Sequence, residues 1–175
     1  PNKYNLVKTI MANYILEGIY FYSGFMFFYN LERNGKMPGS AQEIRYINRD
    51  ENTHLWLFRN IIKELQKEEP GLFNDDLKKE LVDMMKKGVK NEIAWGHYVI
   101  GDNIQGINKK LIEDYIKYLG NLRLSAIGLP KIYDGYDENP ALWVDVLADA
   151  NSVKTDFFEA KSTAYAKAAT LIDDL

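Results

Sequence analysis

The chain has no cysteine. Disulfide scaffolds, thiolate zinc sites, iron–sulfur clusters and cysteine nucleophiles are therefore excluded. The redox compartment cannot be read from thiol usage, which leaves a reducing cytoplasm as the default expectation. Histidine is almost as scarce: His54 and His97 are the only two, so any imidazole-based site must be built on them. No basic stripe with interleaved aromatics is present. With a net charge of −3 and a pI near 5.5, neither nucleic acid nor an anionic membrane is an expected partner. Period-two runs, internal repeats and low-complexity tracts are missing too, so a sheet protein or a solenoid is not expected. The opening residues are polar and lack the h-region of a secretory signal.

What is present is apolar and helical. The 175 residues are 46% hydrophobic, enough for the core of one domain or of one large piece of a domain. Residues 14–31 are rich in aromatics and carry Glu17 as the one charge before the helix end. Composition alone would permit a membrane span there. A helix apolar all round also suits the middle of a large bundle, which is the reading preferred here. Under either reading a lone carboxylate in such a helix marks a candidate site.

The periodicity predicts a first helix over residues 4–32, stopped by Asn34-Gly35 and Pro38-Gly39. Ser40 and Glu43 form a capping-box pattern for a second helix, running to about residue 67 and closed by Pro70-Gly71. Asn74 or Asp75 caps a third helix to about residue 100, with Gly88 and Gly96 inside it. Asn108 caps a fourth, ending at Gly128 with Pro130 beyond. A short helix from Asn139-Pro140 to about residue 147 follows a loop. The expected organisation is an all-α bundle unit over residues 1–147 and a flexible tail over residues 148–175.

The strongest chemical signal is Glu51-x-x-His54. Two residues three apart on a helix share a face, and that face also carries Ile44, Ile47, Phe58, Ile62 and Leu65. A carboxylate and an imidazole thus point where a core belongs. A solvated glutamate beside a packed histidine would account for the pair in isolation. Glu17 shifts the balance, because it sits in the apolar stripe Ile10, Tyr14, Phe21, Phe25 and Phe28 of the preceding helix. A short connection makes the two helices antiparallel neighbours, with Glu17 and Glu51 at similar distances from the turn. An unpaired buried carboxylate is costly, and a metal ion is one partner that removes the cost. Hard oxygen donors with one nitrogen suit iron or manganese.

Di-metal carboxylate bundles take one Glu from each of two helices and a Glu-x-x-His from each of two others. Here there is one of each kind. Glu92 precedes His97 by five positions, which is the wrong spacing for a second motif, and His97 is expected to be a surface or packing residue. Half of a ligand set is missing by count.

These residues also carry a family resemblance. Leu16 to Tyr22 followed by Phe25, then Ile44-Arg45-Tyr46-Ile47-Asn48-Arg49-Asp50-Glu51-x-x-His54, closely resembles the radical-generating small subunit of class I ribonucleotide reductase. Gly106 to Lys109 and the stretch from Tyr115 to Leu129, with Asn121-x-Arg123, are similar to it as well. The resemblance implies a ferritin-like bundle, represented by its C-terminal half. It implies Glu17, Glu51 and His54 as ligands of one of two metal ions, with Glu51 bridging. It implies Asp50 as a carboxylate that hydrogen-bonds a ligating histidine, and Phe21, Phe25 and Ile47 as an apolar wall around the radical site. It implies Glu159 and Tyr165 as tail residues of a radical relay. Iron, as Fe/Fe, is the expected metal, with Mn/Fe or Mn/Mn as alternatives.

The implied partners are a segment carrying the N-terminal half, a catalytic large subunit engaged through the tail, and a second copy in a dimeric small-subunit assembly. The implied function is radical generation and relay for reduction of ribonucleotides to deoxyribonucleotides. The rivals are another di-metal oxidase or oxygenase, and a non-catalytic fragment that binds the large subunit. The family's first-half ligands, its radical-bearing tyrosine and its first-helix tryptophan have no counterpart here, and Trp56, Trp95 and Trp143 match none of them.

Overall fold

The computed structural model describes residues 2–149. Its helices are α1 (Asn2–Ile19), α2 (Tyr22–Arg33), α3 (Pro38–Glu68), α4 (Asp75–Val99), α5 (Lys109–Ala126) and α6 (Leu142–Ala148). No strand occurs among the described residues. At ~1.5 Å rise per residue, the 31 residues of α3 make the longest rod. None of the described helices is long and apolar enough to cross a membrane.

Helix α1 is the centre of the packing. It lies against α3 on one side and against α4 and α5 on the other. Its stripe of Val7, Met11, Tyr14, Ile15 and Ile19 is buried between them. Leu77, Leu81, Met85 and Val89 of α4 and Ile112, Ile116 and Leu119 of α5 complete that core at the helical spacing. The two glycines of α4 do not interrupt it, because they are where neighbours come closest. A Cβ on Gly88 would stand 2.5 Å from Ile15 Cγ2, and one on Gly96 would stand 2.8 Å from Ser23 Oγ.

The expected caps of α4 and α5 are present. Asn74 Oδ1 accepts from Leu77 N at 2.9 Å, and Asn108 Oδ1 accepts from Leu111 N at 2.8 Å. Gly128, at φ 75°, closes α5: Leu129 N donates to Leu124 O at 3.0 Å and Gly128 N to Ser125 O at 3.1 Å. The following loop is pinned by the buried Asn121. Its amide donates to the carbonyls of Tyr133 (2.7 Å) and Tyr136 (3.1 Å) and accepts from Ile132 N and Tyr133 N.

Two expectations are corrected. The capping box at Ser40 does not form. Helix α3 begins at Pro38, after Met37 in the left-handed region at φ 49°. Proline is already shaped for a first helical turn and has no N–H to satisfy, so it displaces the start by two residues. The first helix is also two helices, separated at Tyr20 and Phe21. There, side chains from distant helices take over backbone groups. Glu92 of α4 accepts from Ser23 N at 3.0 Å, and Arg123 Nε of α5 donates to Gly18 O at 3.4 Å.

Candidate metal centre

Glu17 stands in the last turn of α1, just before the break, while Glu51 and His54 lie mid-way along α3. Packing of α1 on α3 brings the three together, with one ligand atom from each within 4.8 Å of the others. His54 Nδ1 is 2.9 Å from Glu51 Oε2 and 3.6 Å from Glu17 Oε2. The carboxylate side chains are largely covered, at 17% and 14% exposure, but the imidazole is 50% exposed. Among the described residues, no lysine or arginine forms an ion pair with either glutamate; the His54 imidazole is the group they share.

The electrostatics follow from that crowding. Glu17 shares a hydrogen bond with Glu51, which holds its carboxyl above the ordinary range, and burial and the Glu51 charge push the same way. The His54 imidazole is raised as well, first by its hydrogen bond to Glu51. Two carboxylates drawn together with no lysine or arginine beside them need protons or a cation between them. Two carboxylates and one imidazole form a donor set that suits iron or manganese, so the residues fit the implied group.

The remaining expected residues distribute unevenly. Phe25 is buried, packed edge-on against Tyr22 with centroids 5.3 Å apart. Phe21 stacks on Phe25 at 6.2 Å but is 39% exposed, and Ile47 is 45% exposed. Ile47, Glu51 and His54 share one face of α3 by spacing. That helix buries only five of its 31 residues, so much of its surface, including apolar side chains, is uncovered. Asp50 points elsewhere: it accepts from Arg49 Nε and Nη2, each at 3.2 Å, whereas His54 takes Glu51 as its carboxylate. His97 is apart from the group, its Nε2 3.0 Å from the Lys109 carbonyl, as expected of a packing histidine. Glu159 and Tyr165 lie outside the described residues.

One functional-looking residue was missed by sequence reasoning. Glu92 is 2% exposed, and burial pushes its carboxyl up to about 7 against the hydrogen bond from Ser23 N. It occupies the inward stripe Met85, Val89, Glu92 and Gly96 of α4. That spacing is the signal that would have placed it inside.

A helical bundle that draws carboxylates from two adjacent helices and a Glu-x-x-His imidazole into one group has the form of a di-metal carboxylate protein. Known proteins narrow the class. The profile of the family "Ribonucleotide reductase, small chain" matches residues 1–140, and the chain belongs to that family. It is 61% identical over 172 residues to the ribonucleoside-diphosphate reductase subunit beta of Treponema pallidum, covering 97% of this chain and 49% of that protein. Its identity to the corresponding subunit of Halalkalibacterium halodurans is 44% over 167 residues, covering 95% of this chain and 48% of the relative. The ribonucleotide reductase R2 subunit of Clostridium botulinum superposes with a TM-score of 0.80 at 55% identity, covering 82% of this chain and 45% of that one. The fold is therefore the ribonucleotide-reductase-like helical bundle. The chain spans about half the length of these relatives.

Proposed function

We propose that this chain is the C-terminal half of the di-metal small subunit of a ribonucleoside-diphosphate reductase, an oxidoreductase component that works in the cytoplasm once a segment with the N-terminal half completes it. The observation that carries the reading is the convergence of Glu17, Glu51 and His54 on a side of the bundle where the imidazole remains half exposed. Three protein ligands are half of what such a bundle uses.

Glu17, Glu51 and His54 would hold one ion of the pair. When bound, the metal pair supplies one-electron oxidation driven by oxygen; the donor set accepts Fe/Fe, Mn/Fe or Mn/Mn, with iron as the expected metal. Phe21, Phe25 and Ile47 would exclude water from the centre once the exposed rings and side chains are covered. Because Glu51 already holds His54, the histidine partner of Asp50 would come from the completing segment, where it would fix a ligand's orientation. Residues 148–175 would carry the contact to the large subunit, with Tyr165 relaying an electron and Glu159 accepting its phenolic proton or tuning its transfer. A dimer of completed small subunits is the expected assembly.

Native mass spectrometry with metal analysis tests this. The chain alone should hold metal weakly and below stoichiometry. Addition of a segment bearing a second Glu-x-x-His should raise it to about two ions per site. Tight binding of two ions by this chain alone would overturn the half-site reading.

A further inference from the structure

The junction of α1, α3 and α5 holds a cavity of about 230 Å³, separate from the ligand group. Its lining includes Tyr14, Asn52, Trp56, Arg59 and Arg123 and no carboxylate. Asn52, Trp56 and Arg59 recur at helical spacing on α3, on a face turned about 100° from Glu51. Arg123 is partly engaged: Nη2 donates to Tyr22 OH at 2.8 Å, Nε to Gly18 O at 3.4 Å, and the guanidinium lies 5.3 Å from the Tyr22 ring centroid, but it forms no ion pair among the described residues. Arg59 makes no hydrogen bond or ion pair there, and its Nε is buried without a partner.

Two cations beside one cavity with no acid to answer them is an unbalanced arrangement. A buried N–H without an acceptor is destabilising, and a partly desolvated guanidinium is more so. Burial pushes the Tyr14 phenol up to about 12, while the charges of Arg123 and Arg59 pull the other way. The Tyr14 hydroxyl donates to the Arg123 carbonyl at 3.0 Å, which turns its oxygen lone pairs toward other donors. The Trp56 side chain, 59% exposed, leaves one wall open to solvent.

We propose that this cavity is a binding site for a single oxyanion group, a carboxylate or a phosphate, gripped between the Arg59 and Arg123 guanidiniums. Guanidinium suits either group because its planar fork matches two oxygens at once. The volume is below the roughly 300–1,000 Å³ of ordinary ligand pockets, so the site takes one charged group and not a whole nucleotide. The group can arrive as a free anion or as an acidic side chain of an associating chain.

The probe is inorganic phosphate, titrated at low ionic strength into the full chain with NMR detection of arginine Nε–H and tryptophan indole N–H signals. Saturable shifts are expected at Arg59 and Trp56, with Trp95 and Trp143 unmoved. Arg59→Gln should weaken binding about tenfold or more, while Arg59→Lys, which keeps the charge but not the fork, should fall between. Metal content of the completed protein should be unchanged in both variants, since Arg59 is not a ligand. No saturable shift up to about 20 mM phosphate, shifts common to all three tryptophans, or equal affinity in Arg59→Gln would each overturn the site. If Arg59→Gln unfolds, the Arg59→Lys titration decides alone, and wild-type affinity in it overturns the forked grip. Repeating the titration on the completed protein identifies the source. Continued phosphate binding points to a free anion, whereas an Arg59 signal already shifted and insensitive to phosphate points to an acidic side chain.

Discussion

Replacing Glu92 by glutamine should stabilise the protein strongly at pH 8 and only slightly, by less than about 1 kcal/mol, at pH 5. The carboxyl is buried and titrates at about 7 in the fold, against an ordinary value of 4.5. Below about 4.5 the proton is bound in both folded and unfolded chains. Between 4.5 and 7 the unfolded chain releases it while the folded chain keeps it, so stability falls as pH rises. Above 7 the folded protein must carry a buried anion, and the loss is complete. A gap of roughly 2.5 units at ~1.36 kcal/mol each comes to about 3 kcal/mol. Glutamine removes the ionisation but keeps an oxygen for Ser23 N, and its new N–H₂ faces a Ser23 hydroxyl that has no partner. Groups other than Glu92 titrate equally in both proteins and cancel in the difference. At ~2–4 °C per kcal/mol for a chain of this size, Glu92→Gln should melt roughly 6–12 °C above the wild type at pH 8. Thermal unfolding followed by circular dichroism at the two pH values measures this directly. An equal difference at pH 5 and pH 8 would show that ionisation of Glu92 is not what the burial opposes.

The ligand group makes a sharper, all-or-none prediction. In the completed small subunit, Glu51→Ala or His54→Ala should abolish the di-metal centre, whereas His97→Ala should leave metal content intact because His97 packs against the Lys109 carbonyl. Metal analysis of the three variants decides it, and equal loss in all three would mean the wrong helix face has been chosen. For the tail, the proposed docking role of Leu171, Ile172 and Leu175 predicts that deleting residues 171–175 weakens large-subunit binding. Tyr165→Phe should preserve binding and metal but stop turnover; full nucleotide reduction by that variant would exclude the relay role.

How much of this was legible beforehand depended on the range of the interaction. Glu51 and His54 share a face because three residues make nearly one turn, whatever surrounds the helix. Asn74, Asn108 and Gly128 end or begin helices through bonds spanning at most five residues, so their local pattern sufficed. Ser40 failed because two local signals competed, and a proline two residues earlier is the stronger of them. The absence of a second Glu-x-x-His is a matter of counting histidines and needed no coordinates.

Other features had no local signature. The break after Ile19 arises because Glu92, 69 residues from Ser23, and Arg123, 105 residues from Gly18, reach backbone groups of the α1–α2 segment. Glu92 lies on the inward stripe of α4, but that Ser23 of α2 would meet it there was set by packing between distant segments. Arg59 and Arg123, far apart in sequence, meet at one cavity only because α3 and α5 both pack on α1. The sequence by itself determined which side chains share a helix face and which ligands exist, because the helical repeat is set by backbone geometry. Only the tertiary structure decided which of those faces lose water, because desolvation depends on elements brought together from far along the chain.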